Sequence, residues 1–228
     1  LVVLGLCSGL VFLQPDLGTA VTLALVTLLL FFAAGFDLRH LSVMVLAALP
    51  ALAYASLAKP YRRKRILAFF NPWEDPRGVG FQIVQSFLAL GSGGLFGVGL
   101  GRSQQKLFYL PESHTDFIFS IIGEELGFLG TSAIVILFMV FLFSGMVIVF
   151  RSKNFFSQLM SLGLVGLIGF EAVINIGVTL GALPTKGLSL PFISYGGSAL
   201  IANMIMLGLL WNISRQALER RPPDEEDS

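Results

Sequence analysis

The chain has 228 residues, a mean hydropathy of +0.81 and 13% charged residues. Soluble domains carry about a quarter charged residues, so an ordinary soluble domain is excluded. The formal net charge of +1 selects no acidic or basic partner, and no nucleic-acid-binding motif occurs.

Apolar runs cover 1–13, 18–36, 41–58, 117–150, 157–183 and 192–213. A helix needs about 20 apolar residues to cross a bilayer. The pattern predicts an all-α fold, a polytopic membrane helical bundle with one large loop carrying short interfacial helices. Residues 1–215 form a single transmembrane domain. Residues 216–228 end in Pro-Pro and acids and read as a disordered tail. The first run is too short to span at ~1.5 Å per residue. It starts at Leu1 with no basic flank, which predicts a chain that begins inside a helix rather than a signal peptide. Cys7 is the sole cysteine and sits in that run, so it offers no intrachain disulfide and reads as a small core thiol. Gln14–Thr19, QPDLGT, is a tight turn in which Asp16 fits a helix N-cap.

The Lys/Arg count divides between two faces. One carries Arg39, Arg151, Lys153, Arg215, Arg220 and Arg221; the other carries eight in the loop 59–116 plus Lys186. The positive-inside rule puts the loop in the cytoplasm, but the rule weakens for loops of this length.

The loop opens with Tyr61-Arg62-Arg63-Lys64-Arg65. Two readings stand: headgroup anchoring by snorkelling side chains, or a diphosphate site, since Arg forks match phosphate oxygens. In NPWEDPRG, Asp75 precedes Pro and fits a structural turn. Gly91–Gly101, GSGGLFGVGLG, lacks the Lys-Ser/Thr ending of a phosphate-binding loop and reads as re-entrant backbone. Glu74, Asp75, Glu112 and Asp116 compete for a catalytic role. Asp116 stands where loop becomes apolar helix. It fits an N-cap, a place Thr115 could fill equally well, and it is also a partly desolvated carboxylate suited to accept a proton. Glu112 and His114 are near enough in sequence to tune it or to hold a metal.

Residues 117–150 are too many for one straight crossing. Either the crossing runs from Gly127 to Phe150, with 117–126 interfacial, or Glu124 and Glu125 face a hydrated cavity. Glu171 and Asn175 lie one helical turn apart within a span, as a functional pair or as a structural hydrogen bond. Leu183–Leu200, LPTKGLSLPFISYGGSAL, is broken by Pro184, Gly187 and Pro191. Irregular backbone at membrane depth is tolerated only against protein or a water-filled cavity, so these features converge on a pocket at one rim of the bundle.

QPDLGTA, NPWEDPRGVGFQIVQS, GVGLGRSQQKLFYLPESHTDFIFSIIGEELGFLG and LPTKGLSLPFISYGGSAL resemble the SEDS family of polytopic cell-wall proteins, its division members more than its elongation members. The likeness runs from Gln14 to about Trp211 and implies the last six of ten transmembrane helices. It implies a peptidoglycan glycosyltransferase that polymerises lipid II at the outer face of the bacterial cytoplasmic membrane, at the division septum. The loop 59–116 is then extracytoplasmic, against the charge count, and the tail is cytoplasmic. The essential carboxylate of the family's HTD motif falls on Asp116, as general base in an inverting β-1,4 transfer from a polyprenyl-diphosphate donor. Arg62, Arg65, Gln85, Glu112, His114 and Lys186 are the substrate-binding candidates, and a divalent cation, Mg or Mn, is a candidate aid to the leaving diphosphate. Implied partners are lipid II and the growing strand, a class B penicillin-binding transpeptidase with other divisome membrane proteins, and membrane lipids. Glu171 stands where the family pattern leads one to expect Gln. A lipid II flippase and a non-catalytic scaffold for a transpeptidase are the alternatives.

Overall fold

The computed structural model describes residues 17–57, 60–76, 78, 80–105, 115–185 and 187–219. Every regular element among them is a helix. In chain order these are α1 (Leu17–Ala33), α2 (Leu38–Leu57), α3 (Pro60–Phe70), α4 (Phe81–Gly93), α5 (Ile118–Arg151), α6 (Phe155–Thr179) and α7 (Gly197–Glu219). The expected all-α bundle, with short helices inside the large loop, is what the chain forms. The first apolar run, 1–13, lies outside the described residues.

α5, α6 and the Gly197–Ala217 part of α7 are each long and apolar enough to cross a membrane; α1 and α2 contribute shorter apolar stretches, Gly18–Ala33 and Leu38–Pro50. The expected 18–36 run stops early because Gly35 takes φ +84°. There the Phe36 N–H donates to Phe31 O (3.0 Å) and the Gly35 N–H to Phe32 O (3.1 Å), the reversal that closes a helix at a left-handed glycine. In α2, Pro50 removes a backbone donor within the helix.

α6 is the centre of the bundle, packed against α5 and α1 and more lightly against α7, while α4 lies along α5. Small residues allow the close approach, as is usual between membrane helices. A Cβ added at Gly145 of α5 would come within 2.5 Å of Val165 Cγ2 on α6, and one at Gly166 of α6 within 2.8 Å of Leu29 Cδ2 on α1. The core gathers at one end of this packing. Phe117, Ile121, Ile174, Val178 and Leu188 form one buried cluster, and Phe119, Ala172 and Leu190 another. Both bring the first turns of α5, the last turns of α6 and the segment 188–190 together.

α5 is broken. At ~1.5 Å per residue its 34 residues would span about 51 Å, well over a ~30 Å hydrocarbon core. Gly127 (φ +67°, ψ −163°) is non-helical and separates Ile118–Leu126 from the long stretch beyond. The break falls at Gly127, the residue from which the shorter crossing was expected to start.

Candidate active site

The site is built from backbone that cannot satisfy itself within helices. Thr115 and Asp116 lead into α5. Leu188 and Leu190 belong to the irregular return from α6 to α7. Their polar groups are bridged by two side chains (Asn175 and Ser194). Asn175, on α6 and 2% exposed, donates through Nδ2 to Asp116 O at 2.8 Å and to Leu188 O at 2.6 Å. The Ser194 hydroxyl donates to Thr115 O at 2.6 Å and accepts from the Leu190 N–H at 2.7 Å. The turn it closes holds Phe192 at φ +64°, the only non-glycine in that region among the described residues. Such a conformation persists where its surroundings enforce it.

Asp116 is half-buried. A Cβ added at Gly187 would lie 3.4 Å from its Oδ2, so the carboxylate rests against a stretch of chain that has no side chain. The neighbouring Phe117, 2% exposed, anchors the segment in the core. One turn on, Ser120 meets α4: its hydroxyl lies 2.5 Å from Ser86 Oγ, which donates to Thr179 O at 2.8 Å. With the Ser86 proton committed to Thr179, Ser120 is the donor of that pair. α4, α5 and α6 are thereby joined through two buried hydroxyls.

The glycine-rich segment after α4 fills the break in α5. In an unbroken helix the N–H groups of Phe128 and Leu129 would bond to the carbonyls of Glu124 and Glu125. Here they donate to Gly94 O (2.9 Å) and Leu95 O (3.2 Å), while Glu124 O and Glu125 O accept from Val98 N–H (2.9 Å) and Gly99 N–H (3.0 Å). Residues 94–99 thus form an insert in the broken helix. Glu124 is buried, and its carboxylate accepts from the Ser103 hydroxyl and from the Gln104 N–H (3.0 Å).

The candidates from the sequence divide accordingly. Asp116, Asn175 and the Gly187 backbone are brought together. Gln85 is half-buried on α4, next to Ser86, and so runs beside the first turn of α5. Glu171 lies one turn from Asn175 on α6. Arg62 and Arg65 fall on α3, which packs chiefly against α2. Glu112, His114 and Lys186 lie outside the described residues. Ser194, Ser86, Ser120 and Ser103 were not read from the sequence. Their only signal is a small hydroxyl in an otherwise apolar or glycine-rich stretch.

The profile of the FtsW, RodA and SpoVE proteins, described as "Cell cycle protein", matches residues 1–219. The chain is 47% identical over 214 residues to the "Probable peptidoglycan glycosyltransferase FtsW" of Geobacter metallireducens, covering 94% of this chain and 57% of that protein. It is 46% identical over 202 residues to "Stage V sporulation protein E" of Bacillus subtilis, covering 89% and 55%. Among solved structures it superposes with a TM-score of 0.74 and 31% identity on a chain from "Structural coordination of polymerization and crosslinking by a peptidoglycan synthase complex", covering 95% of this chain and 60% of that one. The rod shape determining protein RodA of Thermus thermophilus gives a TM-score of 0.63 at 31% identity, covering 95% and 55%. The chain thus spans somewhat more than half the length of these relatives. On the profile match, with helices that suit a bilayer, it is an integral membrane protein of the FtsW/RodA/SpoVE family.

Proposed function

We propose that this chain carries the reacting carboxylate of a peptidoglycan glycosyltransferase that polymerises lipid II during septal wall synthesis. The observation that carries the reading is the setting of Asp116. It is half-buried at the start of α5, beside Gly187, with its own carbonyl tied by the buried Asn175 and that of Thr115 by the half-buried Ser194. The names of the relatives support the same reaction class.

Joining sugars β-1,4 from an α-linked diphosphate inverts the anomeric carbon in one displacement. The acceptor 4-hydroxyl oxygen forms the new bond and its proton passes to the Asp116 carboxylate. The bond to the diphosphate breaks, and the leaving group departs with the electron pair. Arg62, Arg65 and Lys186 are the proposed cations for that charge, with Gln85, Glu112 and His114 as substrate contacts. The loop 59–116 then faces the outside of the cytoplasmic membrane and the tail faces the cytoplasm. Among the described residues no group of three or more His, Cys, Asp or Glu could hold a metal ion. A divalent ion is proposed at Glu112 and His114, which stand close to Asp116 in the sequence, and no step is assigned to it. A class B penicillin-binding transpeptidase is the proposed membrane partner.

The test uses the full-length protein in detergent with labelled lipid II, reading glycan strands. Asp116→Asn is expected to lower the rate by about 10²–10⁴-fold, the usual worth of general-base help, while the protein still inserts in the membrane. Full activity in Asp116→Asn refutes the assignment. Wild-type product in detergent, where there is no bilayer to cross, excludes a pure flippase and a pure scaffold.

A further inference from the structure

Asn175 is an amide in a place where burial alone would favour a hydrocarbon. Its neighbours on α6, Ile174 and Val178, belong to the apolar cluster with Phe117, Ile121 and Leu188. Its side chain is 2% exposed. Both Nδ2 protons are used, one on Asp116 O and one on Leu188 O, while its Oδ1 is buried with no hydrogen-bond partner. A buried acceptor left unpaired is costly, and such groups in native proteins call for an explanation. Most buried amides have both ends satisfied. This one is satisfied only at its donor end, and both donors reach the two strands of backbone that flank the Asp116 carboxylate.

We infer that Asn175 is a positioning residue: its amide fixes the Asp116 backbone to Leu188, and so sets where the Asp116 carboxylate stands beside Gly187. The inference rests on Asp116 being the base. One nitrogen holds two carbonyls 72 residues apart in sequence (188 − 116). Neither Asp116 nor the Gly187–Leu188 segment can shift without lengthening one of those bonds. Ser194 acts in parallel on the adjacent carbonyl, Thr115 O. Proton transfer depends steeply on approach geometry, and a misplacement of about 1 Å can cost about 10²-fold in rate.

The experiment measures lipid II polymerisation by the full-length protein with Asn175→Leu, which fills the site without donors, and Asn175→Asp, which keeps the shape but replaces the donor. Ser194→Ala and the Asn175→Asp/Ser194→Ala double variant complete a cycle. The inference expects kcat to fall by about 10²-fold in each Asn175 variant, with KM within about twofold of wild type. It also expects Ser194→Ala to lower kcat less, and the double variant to lose less than the product of the two. A role in folding alone would reduce the folded fraction while leaving kcat per folded molecule unchanged, and that result overturns the inference. So does a raised KM at constant kcat, or full additivity in the cycle. Should Asn175→Leu fail to fold, Asn175→Asp and Ser194→Ala are judged by the same criteria. Asp116→Asn is run alongside. If it is fully active, the reading of Asp116 as base has failed; if it is inactive while the Asn175 variants keep wild-type kcat, only the positioning role has.

Discussion

Replacing Gly127 with alanine tests the account of the broken helix most directly. The residue sits at φ +67°, ψ −163°, a region open almost only to glycine, where another residue costs about 1–3 kcal/mol. Its new Cβ would lie 2.4 Å from Gly97 N and 2.6 Å from both Leu95 C and Leu95 O. Those are backbone atoms and cannot swing aside as a side-chain tip would. Forced overpacking of this kind costs about 1–3 kcal/mol more, giving a total of about 2–6 kcal/mol. Two neighbouring glycines separate the contributions. Gly94 also has positive φ (+53°), but a Cβ there meets nothing within 4 Å, so Gly94→Ala should cost only the strain, about 1–3 kcal/mol. Gly91 lies inside α4 with open space around it, and Gly91→Ala should stabilise by about 0.5–1 kcal/mol. Thermal unfolding of the purified protein in one detergent ranks the three, and limited proteolysis within 95–101 reports whether the inserted segment has left the break. A Gly127→Ala protein as stable as Gly94→Ala would refute the reasoning, because the clash would then carry no weight.

Two further substitutions probe the ties around the site. Ser103→Ala removes a hydroxyl donor from the buried Glu124 carboxyl group and should destabilise by about 1–3 kcal/mol, the cost of leaving a buried acceptor short of a partner; thermal unfolding checks it. Ser86→Ala strands both Ser120 Oγ and Thr179 O and should cost about 1–3 kcal/mol. The Ser86→Ala/Ser120→Ala double variant should cost less than the sum, with a coupling of about 0.5–3 kcal/mol, whereas strict additivity would show that the two hydroxyls do not act together.

Hydropathy and length carried the fold well. The long runs became α5, α6 and α7, and the excess length of 117–150 already required an interruption, which Gly127 supplies. Pro184, Gly187 and Pro191 correctly marked irregular backbone between α6 and α7. What fills the break in α5 was not legible. The glycines of 91–101 announce unusual backbone, but their partners are carbonyls and N–H groups some thirty residues away, and backbone groups are the same at every position. Asn175 shows the same limit. Its place beside Glu171 on one face of a span was readable from spacing, yet the pairing that matters is with two main-chain carbonyls. Asp116 was readable as a helix start next to a polar loop, one of four competing acids, and what singled it out was the likeness of its surroundings to the family's HTD motif.

The break and the site belong to one mechanical unit. Ile118–Leu126 is about 14 Å of helix at ~1.5 Å per residue, and both of its ends are tied to something other than the rest of α5. At its start, Thr115 O and Asp116 O are held by Ser194 and Asn175, and Ser120 is held by Ser86. At its end, Glu124 O and Glu125 O are held by the segment that follows α4. A continuous 34-residue helix would pass every tilt of its membrane-crossing part directly to Asp116. With the ladder interrupted at Gly127, tilting of the 128–151 stretch has to act through a glycine pivot and four hydrogen bonds to the 94–99 segment before it reaches the carboxylate. The glycine-rich insert therefore stands in place of the missing helical bonds and keeps the half-helix that follows Asp116 registered to α4 and α6.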